Sequence, residues 1–143
     1  MKIAIINTLY YPYQVGGAEK SVQLLTEGLL RAGQDVFVIS LDKPGELLRH
    51  EIINGVKVYR VPLQNLYWPF DNFRRRPNAI FRVIWHCLNI HNKRMGNIVY
   101  KILQEEQPDV VHTHNLIGFS TVIWSVAKSL GFPLLHTLRD YSL

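Results

Sequence analysis

The chain opens with an apolar run that gives way, at a pair of glycines, to a segment with helical periodicity. Residues 1–6 are almost entirely apolar, which is typical of a buried strand. From residue 18 the apolar residues recur at spacings of three and four, which predicts a helix with one buried face. Gly16 and Gly17 lie at the junction, where they permit either a tight turn or the close approach of a ligand to backbone N–H groups. The first turn of such a helix suits a phosphate or carboxylate, although a junction that merely needs small residues has the same pattern.

The rest of the chain continues the alternation of strands and helices. Asn54-Gly55 predicts the two-residue turn of a hairpin over residues 51–62. Other apolar runs predict strands at residues 35–41, 109–114 and 133–138. Strands this apolar, separated by helices, favour a mostly parallel sheet covered on both faces. We therefore expect a doubly wound, Rossmann-like α/β fold.

Two further helices are predicted between these strands. One extends from about Asn78 to Gln107, and Gly96 is the position where we expect it to bend or break. The other covers about residues 119–130. Cys87 lies on the apolar face of the longer helix, which indicates a packed core thiol and not a nucleophile.

Length and composition fit a single globular domain over residues 1–143, with 48% apolar and 19% charged residues. One cysteine excludes an internal disulfide and gives no support to a cysteine-based metal site. No apolar run approaches the ~20 residues that span a bilayer. Because the chain starts directly with a strand, we expect no signal peptide and a cytoplasmic location.

In a parallel sheet of this kind, ligands bind outside the carboxyl ends of the strands. Three segments should meet there: residues 7–19, 112–118 and 136–141. Strand alternation places His112 and His114 on the same face. We interpret His112, which is further from the strand end, as a core histidine, and His114, at the exit, as a binding or proton-handling group.

The last of these segments carries charge at the end of its strand. Asp140 could accept hydrogen bonds from hydroxyl groups, and Arg139 could pair with Asp140 or with a phosphate. Two histidines could also bind zinc, but no third ligand stands at a recognisable spacing, so we expect no metal. The combination predicts an open crevice that suits a sugar or a sugar phosphate.

Aromatic residues precede the glycine pair. Tyr10, Tyr11 and Tyr13 could stack against a sugar or a base, or they could pack the loop against the domain. We favour packing for at least two of the three.

Several enzyme classes lack their usual motifs in this sequence. There is no Gly-x-x-x-x-Gly-Lys-Ser/Thr loop, and the first loop lacks the Gly-x-Gly-x-x-Gly spacing of dinucleotide enzymes. A Gly-x-Ser-x-Gly nucleophile elbow is also missing. We therefore expect no nucleotide cofactor and no hydrolase chemistry.

Three short segments, in this order, resemble the retaining glycosyltransferases of family 4. They are Ile3-Ala4-Ile5-Ile6-Asn7 followed by Tyr11-Pro12 and Gly16-Gly17-Ala18-Glu19-Lys20, then Pro108-Asp109-Val110-Val111-His112-Thr113-His114-Asn115, and then His136-Thr137-Leu138-Arg139-Asp140-Tyr141. Arg139 stands where the family usually has a histidine. The resemblance covers nearly the whole chain and implies the amino-terminal, acceptor-side domain of the two-domain GT-B fold.

The resemblance also implies an activity and a set of site residues. Family members transfer a sugar from a nucleotide diphosphate donor to an acceptor, with retained configuration and without a metal. His114 would lie near the transferred sugar as the catalytic position. The implied substrate-binding residues are Tyr11, Gly16, Gly17, Lys20, Asn115, Arg139 and Asp140.

The carboxyl-terminal domain, which binds the donor in this family, has no counterpart in the sequence. We therefore expect residues 1–143 to be an incomplete amino-terminal domain without transferase activity alone. The alternative is a non-catalytic module that binds a sugar phosphate or completes a split enzyme.

Residues 66–101 are rich in both aromatic and basic side chains. No acidic residue occurs between Asp71 and Glu105, but seven basic ones do: Arg74, Arg75, Arg76, Arg82, Lys93, Arg94 and Lys101. This pattern predicts contact with an anionic membrane surface, consistent with a lipid-linked acceptor and a peripheral location at the inner face of the membrane. The alternative is a core helix with a solvated basic face. No nucleic-acid-binding fold fits the pattern, so we expect no nucleic acid partner.

Overall fold

The computed structural model describes residues 1–70 and 78–138 of the chain. Arg74, Arg75, Arg76, Arg139 and Asp140 therefore lie outside the described residues. The strands are β1 (Lys2–Ile6), β2 (Asp35–Asp42), β3 (Arg49–Ile53), β4 (Val56–Pro62), β5 (Val110–Thr113) and β6 (Leu134–His136). The helices are α1 (Gly17–Arg31), α2 (Ala79–Ile90), α3 (Lys93–Glu106) and α4 (Val122–Ser129).

The six described strands form one sheet in the order β3-β4-β2-β1-β5-β6. All neighbours are parallel except β3 and β4, which form an antiparallel hairpin at one edge. Asn54 and Gly55 form its turn with φ of 50° and 82°, the left-handed conformations that such a turn requires. The predicted mostly parallel, Rossmann-like α/β fold is therefore confirmed.

The strands bury side chains on both faces of the sheet. Along β1, Ile3 and Ile5 pack on the face covered by α1, whereas Ala4 and Ile6 pack on the face covered by α3 and α4. This explains why the strands read as continuous apolar runs, since neither face contacts water. The predicted stripe of α1 also contributes, because Val22 is fully buried in the same cluster as Ile3.

The predicted long helix is two helices, and the break is not at Gly96. It lies at Asn92, whose side chain accepts a hydrogen bond from the Met95 N–H at 3.2 Å and so caps α3. Gly96 has a different role inside α3. A Cβ at this position would lie 3.1 Å from a methyl group of Val122, so the glycine lets α3 and α4 pack closely.

Sequence reasoning was also wrong about Cys87, because this side chain is exposed on α2 and is not a core thiol. Of the twelve residues of α2, only Trp85 is buried. In α3, by contrast, the apolar positions form part of the core, including Met95, Val99 and Leu103. The core-helix interpretation of residues 66–101 therefore holds for α3 and fails for α2.

Candidate functional site at the carboxyl edge of the sheet

A cavity of about 370 Å³ lies at the carboxyl ends of β5 and β6. Its walls come from α2, from the loop between β5 and α4, from α4 and from the end of β6. The lining residues are Trp85, His86, Asn89, His114, Asn115, Leu116, Ile117, Ser120, Thr121, Trp124, His136, Thr137 and Leu138. This is the edge at which parallel α/β sheets bind ligands.

His114 and His112 lie on the same face, as strand alternation predicts, with ring centroids 4.1 Å apart. Their burial is the reverse of the expected order. His114 is 2% exposed, whereas His112 is half-buried and its Nε2 lies 2.8 Å from the Thr137 hydroxyl. His114 therefore lies at the exit of β5 and is nonetheless buried, with its backbone N–H donating to the Ile6 carbonyl at 2.9 Å.

Two further aromatic and polar side chains on the cavity wall were not singled out from the sequence. Trp124 donates from Nε1 to the Thr113 hydroxyl at 3.2 Å and packs edge-on against the ring of His136. Asn89 accepts a hydrogen bond from the Gly118 N–H at 2.6 Å, which ties α2 to the loop after β5. The helical spacing of Trp85 and Asn89, four residues apart, was the signal that both face the same neighbour.

The loops after β1 and β5 are held together by a compact set of hydrogen bonds. Thr8 donates from its hydroxyl toward the Asn115 side-chain oxygen at 3.0 Å and toward the Ile117 carbonyl at 2.9 Å. Asn7 in turn accepts from the Asn115 N–H at 3.1 Å. The side-chain oxygen of Asn115 therefore positions the loop, and Asn115 also lines the cavity.

Gly16 and Gly17 adopt backbone conformations open to any residue. Gly16 is extended, with φ of −153°, and neither glycine has a positive φ. No atom lies within 4 Å of the position that a Cβ of Gly17 would take. The two glycines are therefore not required by a tight turn of the backbone, and that explanation is wrong. The space beside Gly17 is open, as the close approach of a ligand would require.

The N-terminus of α1 already carries a carboxylate. Glu19 is buried and accepts a hydrogen bond from the Gly16 N–H at 2.9 Å. A negative group at this position competes with an incoming anion for the same end of the helix dipole. Lys20 is exposed nearby and donates to the Gln23 side chain at 3.2 Å, so it is the positive group available on this turn.

The three tyrosines differ in their contacts with the domain. Tyr10 is buried, and burial raises the pKa of its phenol. Tyr13 is exposed, but its ring lies under the Arg60 guanidinium, 5.4 Å from the ring centroid, so two of the three contact the domain as predicted. Tyr11 is exposed. The backbone of the loop is also held, by a side chain that sequence reasoning missed.

That side chain is Arg60, which is fully buried in β4. Its guanidinium donates to the Tyr10 carbonyl at 3.2 Å and to the Tyr11 carbonyl at 2.5 Å, and its Nε lies 2.6 Å from a Glu51 carboxylate oxygen. A buried charge is tolerated only when it is paired and its N–H groups have acceptors, and both conditions hold here. The period-two alternation from Val56 through Val58 to position 60 was the signal that Arg60 points inward.

The structure thus brings only part of the predicted site into one cavity. His114 and Asn115 line it, together with His136 and Thr137 from the third segment. None of Tyr11, Gly16, Gly17 or Lys20 is among its lining residues, although their loop begins beside Asn115. Arg139 and Asp140 lie beyond the described residues, so their places remain predictions.

Within residues 1–70 and 78–138, no group of three or more His, Cys, Asp or Glu side chains could hold a metal ion. In the same ranges, no helix has both the length and the apolar character to cross a membrane.

Comparison with known proteins shows the family of the chain. A family model described as Glycosyltransferase Family 4 matches residues 15–142. The chain is a member of Glycosyltransferase Family 4. The match includes the glycine pair, the β5 histidines and the end of β6, so the family resemblance of these segments is confirmed.

Relatives in the family are longer than this chain. The 42.6 kDa protein of the cps region of Klebsiella pneumoniae is 40% identical over all of the chain, which spans 38% of that relative. A GDP-mannose-dependent alpha-mannosyltransferase of Mycolicibacterium smegmatis is 30% identical over 93% of the chain, which spans 31% of that relative. The chain therefore corresponds to about a third of each.

Solved structures share the fold at low sequence identity. The catalytic domain of starch synthase IV from Arabidopsis thaliana has a TM-score of 0.59 and 16% identity, covering 97% of this chain and 34% of that one. The C-terminal domain of a hydrogenase from Pyrococcus furiosus has a TM-score of 0.58 and 18% identity, covering 95% of this chain and 90% of that one. Such similarity supports the Rossmann-like architecture and not a shared activity.

Proposed function

We propose that this chain is the amino-terminal, acceptor-side domain of a retaining glycosyltransferase with the GT-B fold. The full enzyme transfers a sugar from a nucleotide diphosphate donor to a glycan or lipid-linked acceptor. The observation that carries the proposal is the cavity at the carboxyl edge of the sheet, where the family-matched residues His114, Asn115 and His136 line one space. Its tryptophans, Trp85 and Trp124, are suited to packing against a sugar ring.

The proposed roles follow the two loops of this edge. His114 lies next to the transferred sugar, and Asn115 holds the rim of the cavity. Gly16, Gly17 and Lys20 face the donor phosphates or the acceptor, with Tyr11 beside them. Asp140 accepts hydrogen bonds from sugar hydroxyls, and Arg139 pairs with Asp140 or with a phosphate.

In this proposal the donor-binding domain is a separate part of the enzyme, and residues 1–143 have no transferase activity alone. The test compares three samples: the chain alone, the chain fused to the remaining residues of the Klebsiella relative, and the two parts mixed. GDP-mannose is the first donor to try, because the mycobacterial relatives are named for it. Release of nucleoside diphosphate, followed by mass spectrometry of the acceptor, measures transfer.

We expect turnover in the fusion and none with the chain alone. In the fusion, His114→Gln should lower kcat at least a hundredfold, whereas His50→Gln, on the exposed edge strand β3, should leave it unchanged. Turnover restored by mixing the separate parts favours the split-enzyme alternative. Turnover by the chain alone, or a fully active His114→Gln fusion, would contradict the proposal.

The proposal includes a location. The basic and aromatic residues of the 66–101 segment contact an anionic membrane surface, and the enzyme works as a peripheral protein at the inner face of the membrane. The exposure of α2 supports this, because Trp85 is its one buried residue and its other apolar side chains, including Ile80, Val83 and Ile84, are exposed.

A further inference from the structure

Three side chains at the ends of β5 and β6 form a hydrogen-bonded cluster on the wall of the cavity. The parallel register places Thr113 of β5 directly beside His136 of β6. The Thr113 hydroxyl is fully buried and lies 2.9 Å from the His136 Nδ1. It also accepts a hydrogen bond from the Trp124 Nε1–H of α4 at 3.2 Å. We call these three residues the Thr113 cluster.

The hydroxyl proton of Thr113 decides how the cluster is protonated. A hydroxyl has one proton to donate, and an indole N–H can only donate, so the Thr113 oxygen must accept from Trp124. Two acceptors then compete for the proton, the Leu135 carbonyl at 3.3 Å and the His136 Nδ1 at 2.9 Å. Hydrogen bonds between a hydroxyl and an oxygen ordinarily measure about 2.5–3.0 Å, which the Leu135 carbonyl exceeds. The Thr113 hydroxyl therefore donates to Nδ1.

This assignment fixes the tautomer of His136. A neutral imidazole that accepts at Nδ1 carries its proton on Nε2, where it is a donor. Within residues 1–70 and 78–138, the hydrogen-bond partner of this ring lies on the Nδ1 side, and the ring itself lines the cavity. The Trp124 indole packs edge-on against it, with ring centroids 5.1 Å apart, and so holds its plane. The Nε2–H is therefore the group that His136 can present to a ligand.

The surroundings of this N–H suit a sugar. Trp85 and Trp124 both line the cavity, and an indole can pack against the apolar face of a sugar ring. The hydroxyl oxygens at the edge of such a ring can then accept from a donor on the wall. A site built to bond one hydroxyl rejects an analogue that lacks it, so a fixed N–H also contributes to specificity.

We infer that Thr113 and Trp124 are positioning residues that hold His136 as its Nε2–H tautomer, and that this N–H donates to a hydroxyl oxygen of the sugar in the cavity. The inference rests on the proposed function, to which it adds a residue that determines specificity. The tautomer can be measured in the chain without ligand or turnover. A failure of the inference and a failure of the transferase activity are therefore distinguishable.

Nuclear magnetic resonance of the chain, with nitrogen-15 in its six histidines, measures the tautomer directly. Long-range nitrogen–proton correlation spectra distinguish a protonated ring nitrogen from an unprotonated one. The His136 signals are those that disappear in His136→Gln. At a pH of about 8, where histidine side chains are ordinarily neutral, we expect Nε2 to be protonated and Nδ1 to be unprotonated. A proton on Nδ1 would overturn the inference.

Substitutions then test the two positioning residues. Thr113→Val removes the hydroxyl at nearly constant shape, so the Nδ1 signal should move, and Thr113→Ser should restore it. Trp124→Phe, which keeps a ring but loses the N–H, should move the same signal by a smaller amount. Thr26 is the matched control, because it is also fully buried and its hydroxyl donates to the Val22 carbonyl. Thr26→Val should leave the His136 signals unchanged.

Each of these substitutions has an outcome that contradicts the assigned contacts. A Nδ1 signal that is the same in Thr113→Val and in wild type would show that the hydroxyl does not hold the ring. If the valine variant does not fold, Trp124→Phe and Thr113→Ser decide the question, because an unmoved signal in the first or a lost Nε2–H in the second would overturn the assignment.

The ligand part is measured by titrating the chain with methyl α-D-mannopyranoside, an uncharged hexose probe. The sugar should move the His136 Nε2–H signal, and Thr113→Val should raise its dissociation constant about fivefold, whereas Thr26→Val should not change it. Inorganic phosphate is titrated separately. A signal that moves with phosphate but not with the sugar would assign this N–H to an anion, and a signal that moves with neither would remove it from the binding site. Either result would overturn the ligand part.

Discussion

The carboxylate of Glu106 should make the stability of this domain depend on pH below about 5. Its oxygens lie 2.7 Å from the Lys2 Nζ and 2.5 Å from both the Lys57 Nζ and the Tyr59 hydroxyl. Burial alone would raise the Glu106 pKa, but these three donors outweigh it and lower the pKa from an ordinary 4.5 to about 2. The same contacts raise the pKa of the Lys57 ammonium.

The magnitude follows from the size of this shift. At about 1.4 kcal/mol per pKa unit, the lowered pKa corresponds to about 3 kcal/mol of folding free energy. The Glu106 side chain is 10% exposed, but those of Lys2 and Lys57 are 30% and 36% exposed, so solvent screening reduces the contribution. We expect about 2 kcal/mol.

The sign is set by the direction of the pKa change. Between pH 4.5 and 2 the unfolded chain binds a proton at Glu106 that the folded chain does not. The stabilisation is therefore complete above about pH 5 and is lost as the pH falls toward 2.

Urea unfolding of wild type and Glu106→Gln, followed by circular dichroism, measures this contribution. The variant should be less stable by about 2 kcal/mol at pH 7, and the gap should close to less than about 0.5 kcal/mol near pH 2.5. Other carboxylates titrate in both proteins, so the difference isolates Glu106. The exposed neighbour provides a control, since Glu105→Gln should change stability little at either pH. A gap that stays constant between pH 7 and pH 2.5 would refute the reasoning.

Three other substitutions separate structural from functional roles, with urea unfolding as the common measurement. Arg60→Met should cost about 3–5 kcal/mol, because it leaves the two loop carbonyls and Glu51 without their donor, and Arg60→Lys should recover part of the loss. Gly118→Ala should cost at least about 2 kcal/mol, since Gly118 has φ of 87° and a Cβ would lie 2.6 Å from a Leu41 methyl group. Gly17→Ala should leave stability within about 0.5 kcal/mol or raise it, but should weaken sugar-nucleotide or acceptor binding in the active fusion. Unchanged binding there would show that no ligand approaches this backbone.

The fold could be predicted from the sequence because its signals are local. Apolar runs marked the strands, Asn54-Gly55 marked the hairpin, and glycine at position 33 marked the end of α1, where φ is 78°. The break of the long helix was misplaced because two local rules competed. A glycine inside a helix usually indicates weakness, but Asn92 capping the next helix had the larger effect.

The site was less predictable because it depends on contacts between distant segments. Periodicity correctly grouped the apolar residues of α2, but it cannot tell which side of a helix meets the domain. That was decided by Trp85 and Asn89, through partners elsewhere in the sequence. The burial of His114 likewise involves a residue of another strand, since its backbone N–H donates to the Ile6 carbonyl of β1. Neither property can be read from the spacing of residues alone.

The features that do not stabilise the fold lie at the carboxyl ends of the strands. The residues that stabilise the domain and those proposed to bind ligands are therefore at opposite edges of the sheet. At the amino ends of the strands, the Glu106 carboxylate pairs with Lys2 and Lys57, accepts a hydrogen bond from Tyr59, and so stabilises the fold. At the carboxyl ends, Gly17 is a glycine without conformational need, and α2 directs its apolar side outward. Natural sequences keep such locally unfavourable features chiefly where a ligand or partner uses them. If this division is correct, Glu106→Gln should lower the stability of the domain without changing vesicle binding. Ile80→Asp should lower vesicle binding without changing the stability of the domain.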